Sequence, residues 1–559
     1  MSRRLLIASL LVLQALTYAV AEPLTFLPSQ ATTSISSWVC GTRWLRAERA
    51  EGRMLLPEPS GSAAKAAQAS PIEVGTELSF PVNGGFAEAT CQRVGEHAYV
   101  FVENRHWDTN GGSILQNHVD RLGELFDTSS PADSARGIYE LELDTFGDPP
   151  DVDGDERIFL LVMDIRIPLV VGYFDARIAG HDVPEFRRDM LFLDEEFVRR
   201  ESYLARGTLA HEFQHLIHWN HDQDEEIWVD EGLSGYAEEV VGFPDADPNS
   251  VAEFLRQPHT SLTDFTIRNE ARSYGATYLF MSFLAQRYGV GLIRDVVAHA
   301  RNGTAGIDAA LAARGESDRF LDVWRDWIVG NYASEDARFA YDAIKDRRVE
   351  TFTVEAEDLP LQGAPGAVSG RFGTTNILFR TPGDVRVDFD GDDDVQYEVW
   401  TYTMRSSSAT LGRLDLDSDN RGSAQLVGID SAVVIIGRTS MQGQNFQLSA
   451  RAFTPTLVHL EGAASNLGQA SLAAAYPNPF NSSVRIPYSL ATETSVELIV
   501  YDLLGQKIRR LVHGRQAAGA YEAGWDGLDG AGLEMASGVY LARLQVDGIR
   551  HVTILSLVR

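Results

Sequence analysis

His211-Glu212-Phe213-Gln214-His215 is an H-E-x-x-H sequence. Residues four apart on an α-helix share one face, so the imidazoles of His211 and His215 can reach a single metal ion, with zinc the best match. Glu212, beside the first histidine, can hold the water that such an ion polarises and take its proton. Thr208-Leu209-Ala210 leads into the motif and Leu216-Ile217 follows it, so an apolar stripe predicts a helix over 207–219. The plainer reading is a buried helix with two hydrogen-bonded core histidines. The metal reading is preferred because it uses all three residues at the spacing the chemistry needs.

Two histidines do not complete a catalytic zinc site, which needs a third protein ligand and an open position. His221 and Glu231 both qualify by type, and they imply different families. Through His221 the chain resembles the metzincins, H-E-x-x-H-x-x-G-x-x-H, but His218 stands where that pattern has the glycine of a sharp turn. Met281 sits in an apolar run and offers no downstream methionine turn. Through Glu231, the segment Trp228-Val229-Asp230-Glu231-Gly232 resembles the W-x-x-E-G of gluzincins, in which a glutamate on a second helix completes the site. The gluzincin resemblance is favoured, with His211, His215 and Glu231 as metal ligands. It implies that Glu238, seven residues on and on the same helix face, orients a zinc histidine through its other ring nitrogen. Asp230 is the weaker alternative as ligand and is expected to cap the helix. His218 and His221 are expected beside the site or on the surface.

Hydrolysis of an amide also needs a donor for the developing oxyanion. Arg272-Ser-Tyr-Gly-Ala-Thr-Tyr-Leu-Phe280 resembles the S-Y-G-A-x-Y-L-F stretch of bacterial proteases of the hyicolysin group. The resemblance implies Tyr274 as that donor, ahead of Tyr278, with aromatic core packing as the alternative for both. Arg272 is a candidate for substrate binding.

The N-terminus has the form of a secretory signal over 1–21: Arg3-Arg4, an apolar stretch over 5–16, and Ala19-Val20-Ala21 as small-x-small cleavage site. No later segment is apolar over the roughly 20 residues a membrane span requires. A secreted chain, extracellular or attached to the cell surface, is therefore expected. In that oxidising setting Cys40 and Cys91, the only cysteines, are expected to form a disulfide. The alternative for Cys40 is a thiol that blocks the metal from within a propeptide, since 22–73 reads as a propeptide or N-terminal arm with a Ser/Ala-rich linker around 60–70. Formal net charge is -31, and Lys65, Lys345 and Lys507 are the only lysines, which argues against nucleic acid or an anionic membrane as partner.

The remaining chain must hold several domains. Strands are predicted at 97–102, 157–162 and 189–193, with a helix at 114–126, and the last strand is expected to be the edge that pairs with extended substrate backbone. From 204 to about 333 the pattern is helical. The expected fold class is thus multidomain: an α+β domain of thermolysin type over 74–345, with a mixed sheet, a helical subdomain and zinc in the cleft between, followed by two β-sandwich domains. Asp151, Asp153 and Asp155 in Asp-Val-Asp-Gly-Asp are candidate calcium ligands, balanced against a plain acidic turn. Asp388–Asp394 carries the same ambiguity with the acidic turn preferred. Short β-rich runs predict a sandwich over 350–455. Over 473–559, Tyr476-Pro-Asn-Pro-Phe-Asn481, Gly524-Trp-Asp-Gly527 and Ala536-Ser-Gly-Val-Tyr540 resemble the immunoglobulin-like sorting domain of type IX secretion cargo and the related domain of flagellar hook-capping proteins. That resemblance implies the secretion machinery as a partner.

These resemblances imply a secreted zinc endopeptidase acting on proteins or peptides. The rivals are a surface-displayed binding or adhesion protein with an inactive metalloprotease domain, a metzincin using His221, and an aminopeptidase, for which no G-x-M-E-N-like segment precedes the motif.

Overall fold

A computed structural model describes residues 24–26, 40–42, 45, 71–452 apart from 83–84, 183–185, 245–247, 266–269, 407 and 442, and 471–558 apart from 474, 482, 491, 503–505, 530–532 and 547–548. The expected signal segment, the linker around 60–70 and most of the linker at 461–472 lie outside the described residues. The chain divides into two compact units, Met1–Pro455 and Thr456–Arg559.

The first unit begins with a six-stranded mixed sheet in the order β1-β2-β3-β4-β6-β5. Its strands are β1 (Glu77–Val82), β2 (Gly85–Val94), β3 (Ala98–Glu103), β4 (Ile158–Met163), β5 (Gly172–Phe174) and β6 (Met190–Asp194). All six residues of β4, Ile-Phe-Leu-Leu-Val-Met, are buried. It runs parallel to β3 and β6 in mid-sheet, where both faces are covered and an unbroken apolar run is what the position requires. The predicted strands at 97–102, 157–162 and 189–193 correspond to β3, β4 and β6 with one-residue shifts. The expectation that the last of these is the edge is corrected. β5, too short to register as a periodic pattern, pairs antiparallel outside β6 and takes the edge.

Helices α1 (Gln116–Asp127), α2 (Ile138–Phe146) and α3 (Ala176–Ala179) lie between the strands, and α4 (Glu195–Arg200) leads out of β6. The helical part follows: α5 (Tyr203–His221), α6 (Ile227–Val240), α7 (Pro248–Arg256), α8 (Glu270–Tyr288), α9 (Val290–Val297), α10 (Gly303–Ala313) and α11 (Phe320–Gly330). Helix α5 starts where the Ser202 hydroxyl caps the Ala205 N–H at 3.0 Å, and it is buried without a break from Gly207 to His218. Leu209, Phe213, Leu216 and Ile217 enter the main core, which leaves His211, Glu212 and His215 for the other side. Gly232 lets α8 approach α6 closely, since a Cβ there would lie 2.9 Å from Met281 Cγ and 3.0 Å from the Thr277 carbonyl oxygen. The glycine of the W-x-x-E-G segment is thus a packing requirement.

Strands β7 (Phe352–Glu355), β8 (Leu361–Ala367), β9 (Thr374–Arg380), β10 (Gly383–Gly391), β11 (Tyr397–Arg405), β12 (Ser408–Arg413), β13 (Arg421–Ile429), β14 (Ser431–Arg438) and β15 (Asn445–Ala452) form two sheets. They are ordered β13-β10-β15-β8 and β12-β11-β14-β9-β7, and their inner residues share one core that includes Val387, Phe389, Ile377 and Ile436. These sheets belong to the same unit as the helices: Trp324 Nε1 donates to the Phe372 carbonyl at 2.9 Å, and Val433 and Ile435 enter the helical core. Phe26, ahead of both, inserts into the sandwich core and donates its N–H to the Pro365 carbonyl at 2.8 Å. The second unit is two sheets, of three and four strands, closed on Phe480, Trp525 and Tyr540. One aromatic from each of its three sequence motifs therefore joins a single core, with ring centroids at 5.5 Å for Phe480–Trp525 and 5.0 Å for Trp525–Tyr540. Among the described residues no helix is long and apolar enough to cross a membrane.

Candidate metal centre

Helices α5 and α6 bring the candidate ligands together. His211 and His215 stand one turn apart with ring centroids 5.0 Å from each other. Glu231 Oε2 lies 3.4 Å from His211 Nε2 and 3.7 Å from His215 Nε2. Both Nδ1 atoms are already engaged: His211 Nδ1 with Glu238 Oε1 at 2.9 Å, and His215 Nδ1 with Asp230 Oδ1 at 3.1 Å. Carboxylates on Nδ1 hold the rings so that the two Nε2 atoms face the shared point. His211 Nε2 and Glu231 Oε2 are buried there without hydrogen-bond partners, as atoms reserved for a ligand would be. Donors of this kind, two imidazoles and a carboxylate, fit zinc.

The electrostatics suit a cation. Burial alone would push the Glu231 carboxyl up, but His211 and His215 outweigh it and hold it at about 2. Burial likewise disfavours charge on the imidazoles, yet Cys40, Glu231 and Glu238 raise His211 well above its ordinary value, and Asp230 and Cys40 do so for His215. Surroundings of that sign favour a cation at this point.

The remaining candidates separate clearly. Helix α5 runs on through His218 to His221 with no sharp turn, so His221 is rotated about 120° from His215 and about 9 Å further along the axis. There it is exposed and its Nε2 donates to the Asp148 carbonyl at 3.1 Å, away from the cluster. His218 is buried, with Nδ1 on Asp230 Oδ1 at 3.0 Å. Asp230 lies inside α6, whose cap position is Glu226, so the capping expectation is corrected: its carboxylate serves two histidines instead. Tyr274 faces His211 with ring centroids 6.4 Å apart. Tyr278 points elsewhere and donates to Glu239 Oε2 at 2.9 Å. Arg272 donates to Gln257 Oε1.

The expected Cys40–Cys91 disulfide is contradicted, because both thiols are free. Cys91 is enclosed by the sheet core, which pushes its thiol up to about 11. Cys40 joins the candidate ligands, its Sγ 3.4 Å from His215 Nε2, and one donor atom from each of Cys40, His211, His215 and Glu231 lies within 4.8 Å of the others. Sequence reasoning weighed this thiol but had no signal for its neighbours. The Thr42 hydroxyl donates to Glu212 Oε2 at 2.6 Å, and the Cys40 N–H donates to the Tyr274 hydroxyl at 3.3 Å. Glu212, fully buried, also accepts from the Phe174 N–H of β5 at 3.1 Å. Glu142 was missed as well: it is buried beside the site, and burial foremost raises its carboxyl well above the ordinary range.

Of the acidic loop, Asp151 and Asp153 cluster with Asp189, which was not foreseen. Asp155 is corrected: its Oδ2 accepts from the Tyr99 hydroxyl at 2.6 Å. Asp388 and Asp390 pair with Arg386 and Arg421.

The chain has distant similarity to known proteins. The chain is 25% identical over 227 residues to the neutral metalloprotease ShpI of Staphylococcus hyicus, a match covering 35% of this chain and 49% of ShpI. It thus spans about half the length of that relative. Residues 482–548 match the FlgD Ig-like domain. Among solved structures, dimeric latent PorU from Porphyromonas gingivalis is 12% identical, covering 32% of this chain and 18% of PorU at a TM-score of 0.16. PorZ of the same organism is 17% identical, covering 22% and 15% at a TM-score of 0.13. Similarities of that size carry no argument about fold.

Proposed function

We propose that the protein is a secreted, zinc-dependent endopeptidase of gluzincin arrangement, with the metal on His211, His215 and Glu231. The observation that carries the reading is the convergence of the two Nε2 atoms and Glu231 Oε2 while both Nδ1 atoms are fixed by carboxylates. Bound zinc would supply a Lewis acid that polarises the amide carbonyl and lowers the pKa of a water. Glu212 takes the proton of the attacking water at its carboxylate and returns it to the leaving amine. Tyr274 donates its hydroxyl to the developing oxyanion. Strand β5 is the edge of the sheet nearest the site, where an extended peptide could add its backbone once the edge is uncovered. Distant similarity to a neutral metalloprotease supports protein substrates. The C-terminal unit, similar to the FlgD Ig-like domain, is read as an export or attachment module serving the secretion machinery.

A binding protein with an inactive site is disfavoured by Glu212, since a fully buried carboxylate is costly and a scaffold has no use for it. Zinc content of the purified full chain tests the assignment. Glu231→Ala should empty the site and His221→Ala should leave zinc stoichiometric; the reverse result would establish the metzincin ligand set. Cleavage of a protein substrate should be abolished by a chelator and by Glu212→Gln, and Glu212→Gln should retain its zinc.

A further inference from the structure

We infer that Cys40-Gly41-Thr42 is a built-in plug that holds the site latent, an inference resting on the metallopeptidase reading above. Three contacts, two from Cys40 and one from Thr42, each silence a different part of the machinery. Cys40 Sγ completes a four-donor cluster with His211, His215 and Glu231, so it takes the position that water needs. The Thr42 hydroxyl donates to Glu212 Oε2 at 2.6 Å and Cys40 Sγ stands 3.5 Å from Oε1, so both oxygens of the general base are engaged. The Cys40 N–H donates to the Tyr274 hydroxyl at 3.3 Å, engaging the oxyanion donor.

Gly41 shows that the fit is built and not incidental. A Cβ there would stand 2.6 Å from both the Gly172 carbonyl oxygen and Val170 Cγ1, and 2.7 Å from Tyr173 Cβ. Only glycine lets the segment lie this close to edge strand β5. Thr42 is held on the same strand, its hydroxyl oxygen accepting from the Phe174 N–H at 2.7 Å and standing 3.1 Å from the Phe174 carbonyl oxygen. The plug therefore covers the edge that a substrate would use. Upstream, Phe26 is anchored in the sandwich core; downstream, Leu45 is buried against the sheet. Release exchanges the thiolate for water, with one proton taken up by the sulfur, and requires only that the segment be cut away from its anchors.

The full chain loaded with cobalt(II) in place of zinc tests this. A bound thiolate gives a near-ultraviolet sulfur-to-cobalt charge-transfer band, which wild type should show and Cys40→Ala should lack at equal metal content. Gly41→Ala keeps the thiol but should weaken the band by forcing the segment outward. A tethered segment acts at an effective concentration of ~1 mM, at or above the usual KM range of about 1 μM to 1 mM. Uncut zinc-loaded Cys40→Ala and Gly41→Ala should therefore cleave a quenched peptide at least ~10-fold faster than uncut wild type. Stoichiometric cobalt without the band, or equal rates, overturns the plug and leaves the metal site standing. Failure of the full chain to bind metal overturns both.

A separate observation assigns a second cation site, to a hard divalent ion such as calcium, at Asp151, Asp153 and Asp189. One carboxylate oxygen from each lies within 4.8 Å of the others. Asp189 is fully buried; its Oδ2 accepts from the Val152 N–H at 2.8 Å, and its Oδ1 has no partner. A buried carboxylate oxygen left bare is costly unless something outside the protein fills the gap. Arg188 Nε, 3.6 Å from Asp153 Oδ2, offsets part of the charge, which leaves an excess suited to a divalent ion. Calcium titration of the zinc-loaded full chain should show one site that Asp189→Asn and the exposed Asp151→Asn both weaken at least ~10-fold, while Asp155→Asn, whose carboxylate is held by Tyr99, does not. No calcium binding, or binding indifferent to Asp151→Asn, overturns the assignment.

Discussion

The Asp230 carboxylate meets His215 Nδ1 at 3.1 Å, and the same oxygen meets His218 Nδ1 at 3.0 Å. One carboxylate on α6 therefore sets the ring of a candidate ligand and ties it to a histidine one turn further along α5. Asp230→Asn keeps the shape and removes the charge that favours a proton on both Nδ1 atoms. Loss of such a partner typically lowers metal affinity by about 10- to 100-fold. Competition with a chromogenic chelator should show that drop with circular dichroism unchanged. Unaltered affinity would mean that Ser234, 3.2 Å from His215 Nδ1, orients the ring by itself.

Tyr274 and Tyr278 make opposite predictions from the same substitution. On the proposed mechanism Tyr274→Phe removes a hydroxyl that acts in the transition state, so kcat of the activated protein should fall by about 100- to 1000-fold with KM little changed. Tyr278→Phe removes a buried hydrogen bond to Glu239, so it should cost on the order of 1 kcal/mol of stability and spare kcat. Kinetics and thermal melts of both variants separate the roles, and a kcat loss in Tyr278→Phe would reverse them.

What could be read from the sequence follows from how local each signal is. The α5 stripe and the all-apolar β4 announce themselves because periodicity and continuous apolarity are local properties. His211, Glu212 and His215 are equally local, being one turn of one helix. Glu231 needed the resemblance, since nothing in its own neighbourhood says which helix face it shares with α5. Asp189 could not be read as a partner of Asp151 and Asp153, because a parallel sheet brings positions far apart in the chain together at the strand ends. Strand β5, three residues long, lies below the length at which alternation can be seen. The disulfide expectation failed for a related reason: counting cysteines gives pairs, whereas only tertiary placement shows that one thiol lies among His211, His215 and Glu231 and the other in a sheet core.

Those two thiols should be measurable directly. Cys40 and Cys91 are both free, so alkylation in denaturant without reductant should label both, and a reductant should leave Tm unchanged. In the native protein Cys91 should stay unlabelled near pH 8, since burial lifts its thiol to about 11 and the thiolate is the reacting form. A mass shift of two hydrogens on reduction would restore the disulfide.

Glu225 gives the fold a pH dependence away from the metal cluster. Burial, the largest influence, pushes its carboxyl up to about 7, and nearby Asp222 adds to the rise. The N–H groups of Gly303 and Glu226, which donate to its Oε1, and the His218 ring pull the other way without cancelling it. A carboxyl raised from 4.5 to about 7 holds its proton more tightly in the folded chain. Its stabilising share is therefore complete below pH 4.5 and is lost as pH rises through about 7. Glu225→Gln keeps an acceptor for the two N–H groups and never ionises. Its Tm relative to wild type should be level below pH 4.5, climb in the variant's favour up to about pH 7, and stay flat above. Paired melts across that range decide it: a constant gap would show that Glu225 does not titrate there, and a gap closing toward neutral pH would show that its contacts favour the carboxylate.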